Sequence, residues 1–138
     1  MLSKLVIGLV FLVSQTVSAS PFPQVLIESF DDAKVVIYVN ESDISNAPKW
    51  QPSDGAPPLS VKNLIRDIKK WNTSNPEFAN STINEFELKP IVHHEKQNRW
   101  YYLVEMKTNK NGSSNTHYLA VLMNGKVLAA VKEPASYK

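Results

Sequence analysis

LSVKNLIRDIKKW, residues 59–71, carries the clearest helical signal in the chain. Val61, Leu64, Ile65, Ile68 and Trp71 recur at i, i+3, i+4, i+7 and i+10, a single apolar stripe on a helix. Ser60 is a suitable N-cap, and Pro57-Pro58 keeps the helix from starting earlier. Leu59 and Leu64 have the spacing of a hydrophobic staple. Lys62, Arg66, Lys69 and Lys70 fall off the stripe, and the run Asn72 to Pro76 (NTSNP) closes the element. A solvated basic face explains these cations better than a phosphate site, because no Gly-rich or aromatic partner accompanies them.

Downstream the hydrophobic period changes from 3.6 to 2. Ile83 to His94 alternates through Phe86 and Leu88, with Pro90 marking an edge strand or a bulge. Arg99 to Thr108 puts Trp100, Tyr102, Val104 and Met106 on one face and Tyr101, Leu103, Glu105 and Lys107 on the other. Thr108 to Thr116 reads as a polar loop. Tyr118 to Val131, centred on Asn124-Gly125, reads as a type I′ hairpin pairing Met123 with Lys126 and Leu122 with Val127. Upstream, Val25 to Phe30 and Val35 to Val39 are β-rich and separated by a polar turn. Asn40 to Pro58, with its four prolines, is expected to hold no regular element.

The order predicts an α+β domain: one amphipathic helix on an antiparallel sheet of four or more strands, in two layers, preceded by a short N-terminal strand or hairpin. Hydrophobic residues make 43% and charged residues 20% of the chain, as in ordinary globular domains, and the formal charge is +2. Such a near-neutral balance gives no long-range pull towards nucleic acid. Cysteine is absent. That excludes disulfides, thiol catalysis, Cys-type zinc sites and a lipid-modified N-terminal cysteine.

Lys4, the apolar run Leu5 to Val13 and the stretch SQTVSA (14–19) match an export signal cleaved after Ala19. The apolar run is about half the ~20 residues that span a bilayer. The expected division is residues 1–19 as leader, 20–58 as N-terminal strand or hairpin and Pro-rich loop, and 59–138 as helix plus sheet, with 20–138 forming one domain. The expected destination is the periplasm or the medium, without a lipid anchor.

His93-His94, with His117 and Glu95, raises a metal reading. Adjacent strand residues point to opposite faces, however, and no tight ligand spacing such as HExxH occurs. Glu85 and Glu87, with Glu105 across the sheet, read as the solvated face of a half-buried strand. No catalytic residue, metal ligand or cofactor site is expected. Four Asn-x-Ser/Thr triplets, at Asn40, Asn72, Asn80 and Asn111, fall where turns or loops are expected. Trp50, between Pro48 and Pro52, either pins the loop to the core or offers its indole to a partner. Tyr101 is expected to stand outside. Trp50, Tyr101, Asn111 and Asn115 are therefore the candidate partner-binding residues.

The segment Trp50, Pro57-Pro58-Leu59-Ser60, Arg99-Trp100-Tyr101-Tyr102-Leu103-Val104-Glu105 and Val121-Leu122-Met123-Asn124-Gly125-Lys126-Val127 resembles small exported bacterial proteins of unassigned function. Their order of helix and antiparallel strands is similar to PepSY and cystatin-like domains. The resemblance implies a fold and a non-catalytic, binding-type role. The Gln-Val-x-Gly and Pro-Trp wedges by which cystatins enter a protease are missing, so that route of inhibition is not implied. The partner expected is another exported or envelope protein. The rival expectations are a small NTF2-like isomerase or hydrolase with a His/carboxylate pocket, and a structural envelope component.

Overall fold

A computed structural model describes residues 24–29 and 33–134; the expected leader lies outside them. Strands β1 (Gln24–Ser29) and β2 (Ala33–Tyr38) form an antiparallel hairpin, one of the two arrangements expected, with Gln24 opposite Tyr38. Where no regular element was expected, a short helix α1 (Glu41–Asn46) follows. The prolines begin only at Pro48, so residues 41–46 are free to coil. Glu41 and Asp43 lie in the first turn, where carboxylates suit the helix dipole. Ile44 anchors α1 and is 1% exposed. Pro48 then forces Ala47 into extended backbone (φ −80°, ψ 148°) and ends the helix.

The long helix α2 (Val61–Ser74) starts where expected, with Ser60 Oγ accepting a hydrogen bond from the Asn63 amide at 3.2 Å. It runs one further turn, to Ser74, because the stop is Pro76. Proline holds Asn75 out of the helical region (φ −130°, ψ 80°), and Asn75 Nδ2 donates to the Trp71 carbonyl. Asn72 therefore lies inside a helix and not in a loop.

Four strands follow: β3 (Ser81–Pro90), β4 (Trp100–Lys110), β5 (Ser113–Leu122) and β6 (Val127–Ala129), hydrogen-bonded in that order. Pro90 ends the edge strand β3, and Asn84 lies in a bulge between the pairs Ile83–Met106 and Glu85–Glu105. Two Asn-Gly turns differ from expectation. The polar stretch 108–116 is a continuation of β4 and β5 around a two-residue turn. There Asn111 (φ 51°) and Gly112 (φ 78°) are both left-handed and Lys110 pairs with Ser113, the signature of type I′. At Asn124-Gly125 only the glycine has positive φ (88°), and Val121 pairs with Val127. This register makes a three-residue loop, Met123 to Gly125, and replaces the expected Leu122–Val127 pairing.

Apolar side chains cover both faces of this sheet. On one face Tyr102, Val104, Met106, Leu119, Val121 and Met123 pack with Leu59, Leu64 and Ile68. Burying each of the two central α2 side chains contributes about 1.5–3 kcal/mol. Tyr102 also donates its hydroxyl to the Leu59 carbonyl at 2.9 Å, fixing the entry of α2. On the opposite face Tyr101, Ala120 and Leu122 pack with Ile37 and Val39, and with Ile44 of α1. The helix-on-sheet packing is thus as expected, and the N-terminal hairpin adds a third layer. It does so because strand β7 (Val131–Pro134) leaves the main sheet and pairs with β2, giving a second sheet of order β1-β2-β7.

Candidate functional site

Two of the four candidate residues are interior. Trp50 is 6% exposed, and its indole meets Trp100 edge-on at 5.4 Å. Its Nε1 donates to the Gly55 carbonyl and its amide to the Asn98 carbonyl. The proline-flanked indole is a peg for the loop. Tyr101 is 2% exposed, which corrects the expectation that it stands outside. The alternation is right, but the face it points to is covered by the N-terminal hairpin. Its hydroxyl is pushed up to about 12 by burial first and by the Glu87 carboxylate second. Asn111 and Asn115 are exposed on the β4–β5 ribbon. Beyond the Thr108–Asn115 pair that ribbon has two strands only among the described residues, because β3 reaches no further than Ser81 opposite Thr108.

The tandem histidines separate. His93 is exposed with φ 67°, whereas His94 is 8% exposed. His94 Nδ1 lies 3.1 Å from Gln97 Oε1 and Nε2 lies 3.3 Å from Glu41 Oε1, so the ring ties the β3–β4 connection to α1. The Glu95 carboxyl is held below its usual range, first by its own backbone N–H, then by that of His93 and the charges of both histidines. His117 is elsewhere, on β5, with its ring edge-on to Phe78 at 5.1 Å. Among the described residues no three His, Asp or Glu side chains are grouped to hold a metal. His117 lines a cavity, as the enzyme reading requires, but no carboxylate shares that lining.

The accessible chemistry lies along β3. It pairs with β4 alone among the described strands, which leaves its other edge open. On its outer face Glu85 stands directly opposite Glu105, an unfavourable cross-strand pair. Asn84 Nδ2 donates to Glu105 at 3.0 Å and Lys107 Nζ lies 3.6 Å from it, while Lys89 lies 3.8 Å from Glu87. On its helix-side face Phe86 is 39% exposed, its ring edge-on to Tyr102 at 6.0 Å. Between α2 and β3 runs a groove of about 330 Å³ whose apolar lining is Ile65, Ile68, Ile83 and Met106, with Lys69 at its rim. Val61, one turn before Ile65 on α2, is 45% exposed.

Sequence reading took Phe86 only as part of the alternation of a half-buried strand and missed this groove. The available signal was the isolated Phe86 between Glu85 and Glu87 in a strand ending at Pro90, a pattern suited to an edge. No family model, curated protein or solved structure matches the chain. The PepSY- and cystatin-like reading therefore rests on the residue pattern.

Proposed function

We propose that the protein is a non-catalytic binding module of the cell exterior. It takes up an extended segment of another exported or envelope protein along the open edge of β3. The observation that carries this reading is the juxtaposition of that edge with the α2–β3 groove. A strand added to a sheet edge gains main-chain hydrogen bonds, and its alternate side chains enter whatever lies on each face. Here one face offers apolar Ile65, Ile83 and Phe86, and the other offers Glu85 and Glu87. The partner is accordingly a segment in which apolar residues alternate with lysine or arginine. A second copy is a poor occupant, because antiparallel self-pairing would bring the glutamates of both copies together.

The test is a titration of the isotope-labelled protein with a short synthetic peptide alternating valine and lysine. Amide shifts along 81–90, lost in Phe86→Glu, support the reading. Equal binding of a valine–glutamate peptide, or shifts confined to other strands, would sink it.

A further inference from the structure

We infer that the cleft between α2 and the β5–β6 turn is a binding site for a neutral saccharide. Asp67, Lys70, Trp71 and Ser74 recur at i, i+3, i+4 and i+7, so they share one flank of α2. The loop Met123 to Gly125 is seated beside that flank, where Asp67 Oδ2 lies against Gly125. Between helix and turn lies a cavity of about 380 Å³, closed by Asn124 and Gly125. That volume falls within the range of small-molecule sites. The β3 groove is on the other flank of α2, against Ile65, Ile68 and Asn72. This site and the β3 edge are therefore separate, and neither requires the other.

The lining chemistry decides the class of ligand. Trp71 is half-buried, and Phe78 packs on it at 4.9 Å, so the indole is held in place before a ligand arrives. A pyranose ring carries C–H groups on a face that loses water against an indole, and hydroxyls around its rim. Hydroxyls need donors and acceptors side by side, and the cleft holds both. The Asp67 side chain, 18% exposed, accepts through Oδ2, while Lys70, Ser74 and Asn124 are exposed and donate. Asn124 Oδ1 already accepts from the Lys126 amide at 3.2 Å, which fixes the side-chain amide and leaves Nδ2 as its donor. Charge argues against an ion. Asp67 Oδ1 is held by Arg66 Nε at 3.0 Å and Nη2 at 2.9 Å, and Arg66 Nη1 donates to Asn63 Oδ1 at 3.1 Å. With that guanidinium engaged, one lysine beside a carboxylate remains, a poor site for a phosphate or an amine. A neutral polyol meets no such mismatch.

The experiment is a titration of the isotope-labelled full chain with cellobiose, mannobiose and N,N′-diacetylchitobiose, and in parallel with inorganic phosphate. Saturable shifts at the Trp71 indole, the Asn124 side chain and the Gly125 amide are expected with at least one sugar, and none there with phosphate. Sugar affinity should hold from about 50 to about 500 mM salt, because no ion pair forms. Asp67→Asn keeps the shape of the side chain and weakens binding about tenfold, the weight of one charge-assisted contact. Trp71→Leu removes the indole and abolishes the response. Should Trp71→Leu lose the wild-type amide dispersion of β4 and β5, Asp67→Asn decides alone. Equal affinity for the bound disaccharide and its tetramer identifies a free sugar as the ligand, and tighter binding of the tetramer a glycan chain. Phosphate shifts at the same residues, an affinity that falls with salt, unchanged affinity in Asp67→Asn, or no saturable response to any of the three sugars would each overturn the assignment.

Discussion

Gly125 rests directly on Asp67: a Cβ built at position 125 would lie 2.4 Å from Asp67 Oδ2 and 3.3 Å from its Cγ. The β5–β6 turn is therefore seated on α2 so closely that a side chain at 125 would have to displace the Asp67 carboxylate. Gly125 also needs its positive φ of 88°. Gly112 shares that need (φ 78°), but a Cβ there would meet nothing within 4 Å. Gly112→Ala should cost about 1–2 kcal/mol, the penalty of a left-handed backbone for an L-residue. Gly125→Ala should cost about 1 kcal/mol more, as for an overpacked contact. Urea unfolding of both variants measures the difference, and Asp67→Ala in the Gly125→Ala background should recover the excess. Equal losses at the two glycines would show that Asp67 moves aside freely.

Trp50→Ala tests the peg described above. Removing a buried indole costs about 3–5 kcal/mol, a large part of the 5–15 kcal/mol that holds a domain together. Asn115→Ala, at an exposed ribbon position, should stay within about 0.5 kcal/mol. Thermal unfolding compares them. A near-neutral Trp50→Ala would mean that the loop is not anchored by its indole.

The helix was legible in full detail at its start because cap, staple and stripe all agree at Ser60, Leu59 and Leu64. The two N-terminal strands were legible for similar local reasons, and the edge position of Pro90 was one of the two readings that a proline there allowed. The β5–β6 register was not. Shifting a strand by one residue exchanges its faces, and alternation detects the error only when one face is wet. Here both are covered: Leu128 packs with Tyr101 and Ile37, while Val127 and Ala129 pack towards α2. The same cover hid the burial of Tyr101, since nothing local in Tyr101 to Lys107 records that a distant hairpin lies over it. The cavity lined by His117 depends on β7 changing sheets, a tertiary event with no local signature.

Lys126 and Asp43 join the β5–β6 turn to α1 through a 2.6 Å contact between Nζ and Oδ1. The Asp43 residue is 8% exposed, and its second oxygen, Oδ2, is buried with no hydrogen-bond partner among the described residues. Lys126→Met would leave a buried carboxylate unpaired. The loss expected is about 1–3 kcal/mol, below the 3–5 of a fully buried pair because the lysine side chain is 47% exposed. The double variant Asp43→Leu/Lys126→Met removes both charges and should regain most of that loss. Chemical denaturation of the four proteins in this cycle gives the coupling, and additive losses would mean the pair contributes nothing specific.

Tyr101 makes stability fall in alkaline solution. Its hydroxyl is raised from 10.0 to about 12, by burial and then by the Glu87 charge. Below pH 10 folded and unfolded chains both hold the proton, and the contribution is fully present. As pH rises from 10 to 12 the unfolded chain releases its proton first, so unfolding is increasingly favoured until the folded hydroxyl also ionises. Tyr102 is raised by burial, and Tyr38 by its hydrogen bond to Glu133, so both act in the same direction. Tyr101→Phe removes one of the three contributions and keeps the ring that packs on Ile37. The stability of wild type minus that of Tyr101→Phe should therefore be flat up to pH 10 and decline from there to pH 12. Ultraviolet titration of the folded proteins should show one late-ionising phenol lost in the variant. A difference that stays flat through pH 12 would mean that the Tyr101 hydroxyl reaches water and that the hairpin does not cover it.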